Sequence, residues 1–196
     1  MSINCRELYE YVAGVVCGDG SLWYDVKGRT YHVLIYDNNY TFIMTLKDML
    51  QYCIGHRNIR VRSIKSGRCF ELDVRGLEFY TTILDLIKHL LSNPSIPFVR
   101  GLTDAEGSLY HHGTITLEIS NTKQDVVNAI YKLLESLKVK CFIVTERRKP
   151  PRRDIYKVRI RGWNNVIHFI NVVKPLHPKI RDKLQNLMYT YRSLTH

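Results

Sequence analysis

The sequence predicts an α+β fold built from two pseudo-symmetric halves, each with the element order α-β-β-α-β-β-α. Three observations carry this: a long internal repeat, alternating strands at matching places in both copies, and helical periodicity between them. The repeat is anchored by Val12-Ala13-Gly14-Val15-Val16-Cys17-Gly18-Asp19-Gly20-Ser21-Leu22 and Val99-Arg100-Gly101-Leu102-Thr103-Asp104-Ala105-Glu106-Gly107-Ser108-Leu109, offset by 87 residues. Both read apolar-x-Gly-apolar, three residues, then acid-Gly-Ser-Leu. A period this long exceeds any solenoid unit and points to a duplicated unit forming a pseudo-dimer in one chain.

Each motif opens its half as a helix. Alternating residues follow to about Tyr36, ending in Asp37-Asn38-Asn39, and in the second half Thr114 to Ile119, ending in Ser120-Asn121-Thr122. These read as β-hairpins. Helical patterns come next, near Tyr40–Ile54 and Lys123–Leu137, with Asn39 or Thr122 as caps and Thr122 with Asp125 resembling a capping box. The second strand pairs are Ile59–Ile64 with Cys69–Arg75 across the turn Ser66-Gly67, and Cys141–Glu146 with Ile155–Arg161 across the loop Arg147–Asp154. Closing helices are expected near Leu77–Leu91 and Trp163–Val173, and an extra tail helix near Ile180–Leu194. Asn93-Pro94 and Pro97 break the helical pattern, so the halves are expected to span 1–94 and 95–196.

Charge separates the halves. The chain carries a formal net charge of +11, which favours a polyanionic partner, nucleic acid being the commonest. Residues 1–94 hold 11 Lys/Arg against 10 Asp/Glu, whereas residues 95–196 hold 18 against 8. The basic excess therefore lies in the second half. No apolar run approaches a membrane span, and the start of the chain lacks a basic segment followed by an apolar one, so the expectation is an intracellular, unsecreted protein. The five cysteines, Cys5, Cys17, Cys53, Cys69 and Cys141, are odd in number and form no C-x-x-C pair. They are expected to be reduced, structural thiols.

The repeated motif also carries chemistry. Gly14 and Gly101 allow two helix backbones to approach closely. If the motif helices pack across these glycines, Asp19 and Glu106 arrive together at one end, each before a glycine, Gly20 or Gly107, that suits a helix C-terminus. Two carboxylates there repel each other and the helix dipole, so the arrangement calls for a cation. Oxygen donors suit Mg²⁺, and beside DNA such a site favours phosphodiester hydrolysis.

On these residues the chain resembles the LAGLIDADG homing endonucleases of the single-chain, two-motif type. Gly14 and Gly101 match the helix-packing glycine of that motif, and Asp19 and Glu106 its final acid. The resemblance covers nearly the whole chain. It implies two halves packed through the motif helices, each presenting a curved antiparallel sheet to the DNA major groove. Asp19 and Glu106, with the backbone carbonyls of Gly18 and Ala105, would hold Mg²⁺ or another divalent cation. The expected activity is a site-specific, metal-dependent double-strand cut in a long, asymmetric duplex, leaving short 3′ overhangs and promoting intron mobility. The family also uses an amide and a basic residue around the attacking water. Asp37 and Asn121 stand at the amide positions, Asp37 being a departure, and Arg181 is preferred over Lys179 and Lys183 for the basic role.

Strand alternation then sorts the DNA-facing candidates. In the first half they are Trp23, Lys27, Arg29, Tyr31, His32, Arg60, Arg62, Arg68, Glu71, Asp73 and Arg75. In the second they are Tyr110, His112, Thr114, Thr116, Glu118, Lys157, Arg159 and Arg161. Arg147, Arg148, Arg152 and Arg153 mark the most basic loop, a clamp for phosphates without sequence preference. The chain is expected to act as a monomer on double-stranded DNA. The alternative is an intron-RNA maturase, with host intron RNA as partner, or a non-cutting DNA-binding protein on the same scaffold. An intein fragment fits less well, because the chain begins Met-Ser and ends Leu-Thr-His.

Overall fold

A computed structural model describes residues 4–55 and 58–194. The first three residues of the N-terminal stretch read above lie outside it. Among the described residues the first half runs α1 (Cys5–Asp19), β1 (Gly20–Asp25), β2 (Thr30–Asp37), α2 (Tyr40–Ile54), β3 (Ile59–Ile64), β4 (Cys69–Arg75) and α3 (Leu77–Ser92). The second runs α4 (Ile96–Glu106), β5 (Gly107–His112), β6 (Thr114–Asn121), α5 (Gln124–Ser136), β7 (Cys141–Glu146), β8 (Ile155–Arg161), α6 (Trp163–Val173) and the tail helix α7 (Pro178–Leu194). The strands form two antiparallel sheets of the same design, ordered β1-β2-β4-β3 and β5-β6-β8-β7. The mixed α+β class and the repeated element order are those the sequence predicts.

The two sheets are joined through α1 and α4. From Tyr11 to Cys17 every residue of α1 is buried, as is every residue of α4 from Gly101 to Ala105. These helices therefore pack on all sides rather than along one stripe. A Cβ placed on Gly14 would sit 2.1 Å from the Phe98 carbonyl oxygen, and one on Gly101 would sit 2.1 Å from that of Tyr11. Each glycine thus makes room for the other helix's backbone. The core runs unbroken through both halves, from Val33, Ile35, Leu72 and Val74 to Leu117, Ile119, Val158 and Ile160. No helix among the described residues is long and apolar enough to cross a membrane.

Several local expectations are corrected. Gly20 and Gly107 do end α1 and α4 as expected, but in extended backbone (φ −123° and −70°) rather than the left-handed conformation usual for a C-terminal glycine. They are glycines because a Cβ would strike Val16 and Leu34 at the first and the Thr103 carbonyl at the second. Asn39 does cap α2, its Oδ1 accepting from the Phe42 amide at 2.9 Å. Thr122 forms no capping box. Helix α5 starts one residue later, with Lys123 at the N-cap and no side-chain cap. Cys5 and Cys53 are not free thiols but a disulfide with a Cα–Cα distance of 5.6 Å. The start of α1 and the end of α2 meet in space, which no C-x-x-C spacing could announce. Cys17, Cys69 and Cys141 are free.

Candidate active site

The acids at the ends of α1 and α4 share one end of the packed helix pair. Asp19 opens to solvent and Glu106 is half-buried. Across the seam, Gly18 leaves no space for a side chain, since its Cβ would lie 2.6 Å from Ala105 Cβ and 3.0 Å from Glu106 Cγ. This proximity acts on the Glu106 carboxyl. Burial and the neighbouring Asp19 charge push Glu106 up from 4.5 to about 7, against the pull of Lys179. Asp19 is raised as well, by burial first, with Lys179 opposing and Asp37 reinforcing.

Each acid has its own recess. Asp19 shares one with Gly18, Tyr36, Asp37, Asn38, Cys69 and Lys179. Glu106 shares the other with Cys17, Gly18, Ser120, Asn121, Thr122 and Lys123. Asp37 and Asn121 do occupy equivalent positions. Each side-chain oxygen accepts the backbone amide two residues on, Asn39 at 2.6 Å and Lys123 at 2.9 Å, so both are turn-formers at the end of a strand. They differ in their second partner. Asp37 also takes a hydrogen bond from His177, which holds its carboxyl below the usual range despite burial.

Arg181, the residue expected in the basic role, is exposed, and other basic side chains stand closer to the acids. Lys179, two residues earlier, donates Nζ–H to the Ala105 carbonyl at 2.6 Å. It is the second residue of α7, in the turn that starts at the acids, whereas Arg181 lies two residues further round the helix. Lys123, which the sequence reading did not select, lines the Glu106 recess. Its signal was present in the pattern Asn121-x-Lys123, for which the first half has Asp37-x-Asn39.

The donor set fits a hard divalent cation. Two carboxylates share one end of the helix pair with the Ala105 carbonyl, and burial together with the Asp19 charge holds Glu106 back from ionising although Lys179 stands beside it. Among the described residues no group of three or more His, Cys, Asp or Glu side chains could hold a metal. Such an ion would therefore complete its shell with water or ligand oxygens, as Mg²⁺ commonly does.

The outer sheet faces are charged. Strand register places Trp23, His32, Arg60, Arg62, Glu71, Asp73 and Arg75 on one face. Tyr110, His112, Thr114, Thr116, Glu118, Lys157, Arg159 and Arg161 share the corresponding face. Tyr31 is corrected: it pairs with Tyr24, lies on the helix-covered side and packs on Tyr80 with ring centroids 5.0 Å apart. Glu71 and Asp73 are also corrected as contacts. They are buried, at 4% and 2% exposure, and act within the sheet. Glu71 binds Arg62 at 2.6 Å; Asp73 binds His32 and Arg75, each at 2.8 Å. His32 and Thr116 are likewise buried. Glu118 holds Lys157 at 3.1 Å and Arg159 at 2.5 Å. The acids thus pair with basic side chains of their own face, and Arg60, Arg62, Arg161 and the half-exposed Trp23 remain on the surface. Lys27, Arg29 and Arg68 project from turns at the sheet margin. In the basic loop Arg148 is tied to Glu146 at 2.9 Å, while Arg147, Arg152 and Arg153 are exposed.

Residues 93–174 match the family model of the LAGLIDADG-like domain, and residues 8–90 match that of the WhiA LAGLIDADG-like domain. No curated protein sequence matches the chain. Among solved structures, the fold is similar to the homing endonuclease I-DmoI. In complex with DNA and Mn, I-DmoI has a TM-score of 0.71 and 21% identity, over 89% of this chain and 99% of that one. In complex with DNA and Ca, the values are 0.72 and 22%, over 87% and 91%. The fold is also similar to the N-terminal LAGLIDADG domain of DUF199/WhiA, with a TM-score of 0.61 and 17% identity over 91% and 88%. Full-length DUF199/WhiA from Thermatoga maritima aligns at 0.61 and 18% identity, over 96% of this chain and 62% of that chain. With two such domains in tandem, joined through motif helices whose glycines and terminal acids correspond, this chain belongs to the LAGLIDADG family as a single-chain member carrying both motifs.

Proposed function

We propose that this chain is a site-specific homing endonuclease that makes a divalent-cation-dependent double-strand cut in duplex DNA. The observation that carries this is the convergence of Asp19 and Glu106 at one end of the helix pair, with Glu106 pushed to about 7 by burial and by its partner's charge. Such a pair is costly to keep unless a cation and a phosphate complete it. The similarity to I-DmoI in complex with DNA and Mn supports the same reading.

In this proposal Asp19, Glu106 and the carbonyls of Gly18 and Ala105 hold the cation, with Mg²⁺ as the working ion. When bound, the ion lowers the pKa of water and stabilises the leaving oxygen. Asp37 and Lys179 serve the Asp19 site; Asn121 and Lys123 serve the Glu106 site. The lysines stabilise developing negative charge. The halves 1–94 and 95–196 each apply one sheet to one half of an asymmetric target, as a monomer. The second half grips harder because it carries the basic excess. The cut leaves short 3′ overhangs, and the double-strand break serves intron mobility.

The test is cleavage selection from a randomised duplex library in Mg²⁺, followed by strand-resolved assays on the recovered sites. Asp19→Asn and Glu106→Gln are expected to abolish cutting and keep binding. Folded protein that enriches bound but never cut duplexes would instead establish a non-cutting DNA-binding protein. The match of residues 8–90 to the WhiA domain makes that the second reading.

A further inference from the structure

Between α6 and α7 the chain crosses the end of α4 as a short strap, Lys174 to His177, stiffened by Pro175 and by Pro178 at the helix start. Helix α4 holds it at successive points. Arg100 Nε donates to the Val173 carbonyl at 2.6 Å, and the Leu176 amide donates to Asp104 Oδ2 at 2.8 Å. Asp104 Oδ2 also accepts from Tyr11 of α1 at 2.8 Å, so the dock spans both motif helices. Asp104 is fully buried, and its Oδ1 has no hydrogen-bond partner among the described residues. Keeping a carboxylate in that state is expensive for a loop anchor alone.

His177 is the part of the strap that reaches the site. It is buried at 2% exposure, and its ring lies on Phe42 with centroids 4.4 Å apart. Nδ1 accepts from the Lys179 amide at 2.9 Å, so the ring proton belongs on Nε2, which donates to the Asp37 carboxylate at 3.2 Å. One imidazole thus ties the backbone of Lys179 to the end of β2. This also accounts for aspartate at position 37 where the second half has Asn121. Asparagine has one acceptor oxygen and would have to share it between the Asn39 amide and the ring.

The Glu106 site has no counterpart. Helix α3 ends at Ser92, and the short connection 93–95 that follows it enters α4 at Ile96, the opposite end of that helix from Glu106, so it does not reach the acids as the strap does. The first motif carries Cys17 where the second has Asp104, and a thiol, a weak acceptor, cannot hold a backbone amide and a tyrosine hydroxyl together as Asp104 Oδ2 holds those of Leu176 and Tyr11.

We infer that the strap builds the Asp19 site alone, with Asp104 as its dock and His177 as the positioning residue that seats Asp37 and Lys179. The Glu106 site is complete without it. The two strands of the target are therefore cut by differently assembled sites. This rests on the nuclease reading, and the test has two arms so that the two can fail separately.

The first arm measures strand-resolved cleavage of duplexes recovered by selection. His177→Phe keeps the ring against Phe42 and removes both hydrogen bonds. It should slow one strand by on the order of 10- to 100-fold relative to the other, so that nicked duplex accumulates. His177→Gln, which restores the donor to Asp37, should recover most of the lost rate. Equal slowing of both strands, or no recovery with Gln in a folded protein, overturns the inference and leaves the nuclease reading standing. The second arm needs no DNA: imidazole ¹⁵N NMR of the full chain. His177 should carry its proton on Nε2, and Asp37→Asn should disturb that signature. If the wild type cuts nothing, the nuclease reading falls and this arm decides the seating. A ring that averages between tautomers in the wild type overturns it.

Discussion

Replacing Glu106 with glutamine should stabilise the metal-free protein at alkaline pH while destroying the proposed activity. Burial and the Asp19 charge raise Glu106 from 4.5 to about 7 in the folded chain. The folded state therefore holds this proton more tightly than the unfolded one. The associated stability is full below about pH 4.5, falls as pH rises toward 7, and is gone above it. At about 1.4 kcal/mol per tenfold change in proton affinity the ceiling is about 3.4 kcal/mol. Glu106 is only half-buried, so solvent screening reduces this to about 1–2 kcal/mol, or roughly 3–6 °C in melting temperature for a chain of this size. The assay is thermal or urea unfolding in EDTA at pH 5 and pH 8, wild type against Glu106→Gln. The variant should lose part of the pH slope and melt higher at pH 8. Adding Mg²⁺ or Mn²⁺ at pH 8 should raise the wild type and leave the variant nearly unmoved. A variant that melts lower at pH 8, or keeps the full wild-type slope, would refute the reasoning.

Other consequences are equally direct. Gly14→Ala puts a methyl 2.1 Å from the Phe98 carbonyl, so the motif helices must part. Urea unfolding should show a loss of about 3 kcal/mol or more, and near-native stability would sink the close-approach argument. Cys5→Ser opens a disulfide spanning 48 residues, which should cost up to about 4 kcal/mol by denaturation under oxidising conditions. Dithiothreitol should lower the wild type to match, and an unmoved wild type would mean that the bond does not form. Arg152→Ala with Arg153→Ala removes two exposed charges from the basic loop. If both touch phosphates, the salt slope of duplex binding should fall by about 2 with little change in sequence preference. A changed preference at unchanged slope would assign this loop to base reading.

Strand phase, helix limits and the duplicated plan were legible because they follow from near-neighbour periodicity. Ile59–Ile64, Cys69–Arg75 and Trp163–Val173 form as their alternation or helical spacing predicts. The acids were legible for a similar reason, since equal motifs must deliver equal ends. Tyr31 was misplaced because phase within β2 depends on the register Trp23↔His32 across a turn, not on counting from β1. Glu71, Asp73 and Glu118 looked like contacts because their outward phase is correct. Their pairing is set by cross-strand partners, Arg62 for Glu71, His32 for Asp73 and Arg159 for Glu118, which the residue's own strand does not announce.

By itself the sequence determined that two similar units share one chain, that each ends a glycine-bearing helix on an acid, and that the second unit carries the positive charge. Local pattern and covalent order suffice for these. Only the tertiary structure decided that Lys179 rather than Arg181 meets the acids, that Lys123 stands at the second site, and that Cys5 meets Cys53. It alone joined Asp104, His177 and Asp37, residues separated by 73 and 140 positions in the chain. Such distances leave no periodic trace, because what brings them together is the packing of α1 on α4 and the path that the chain takes over that packed end.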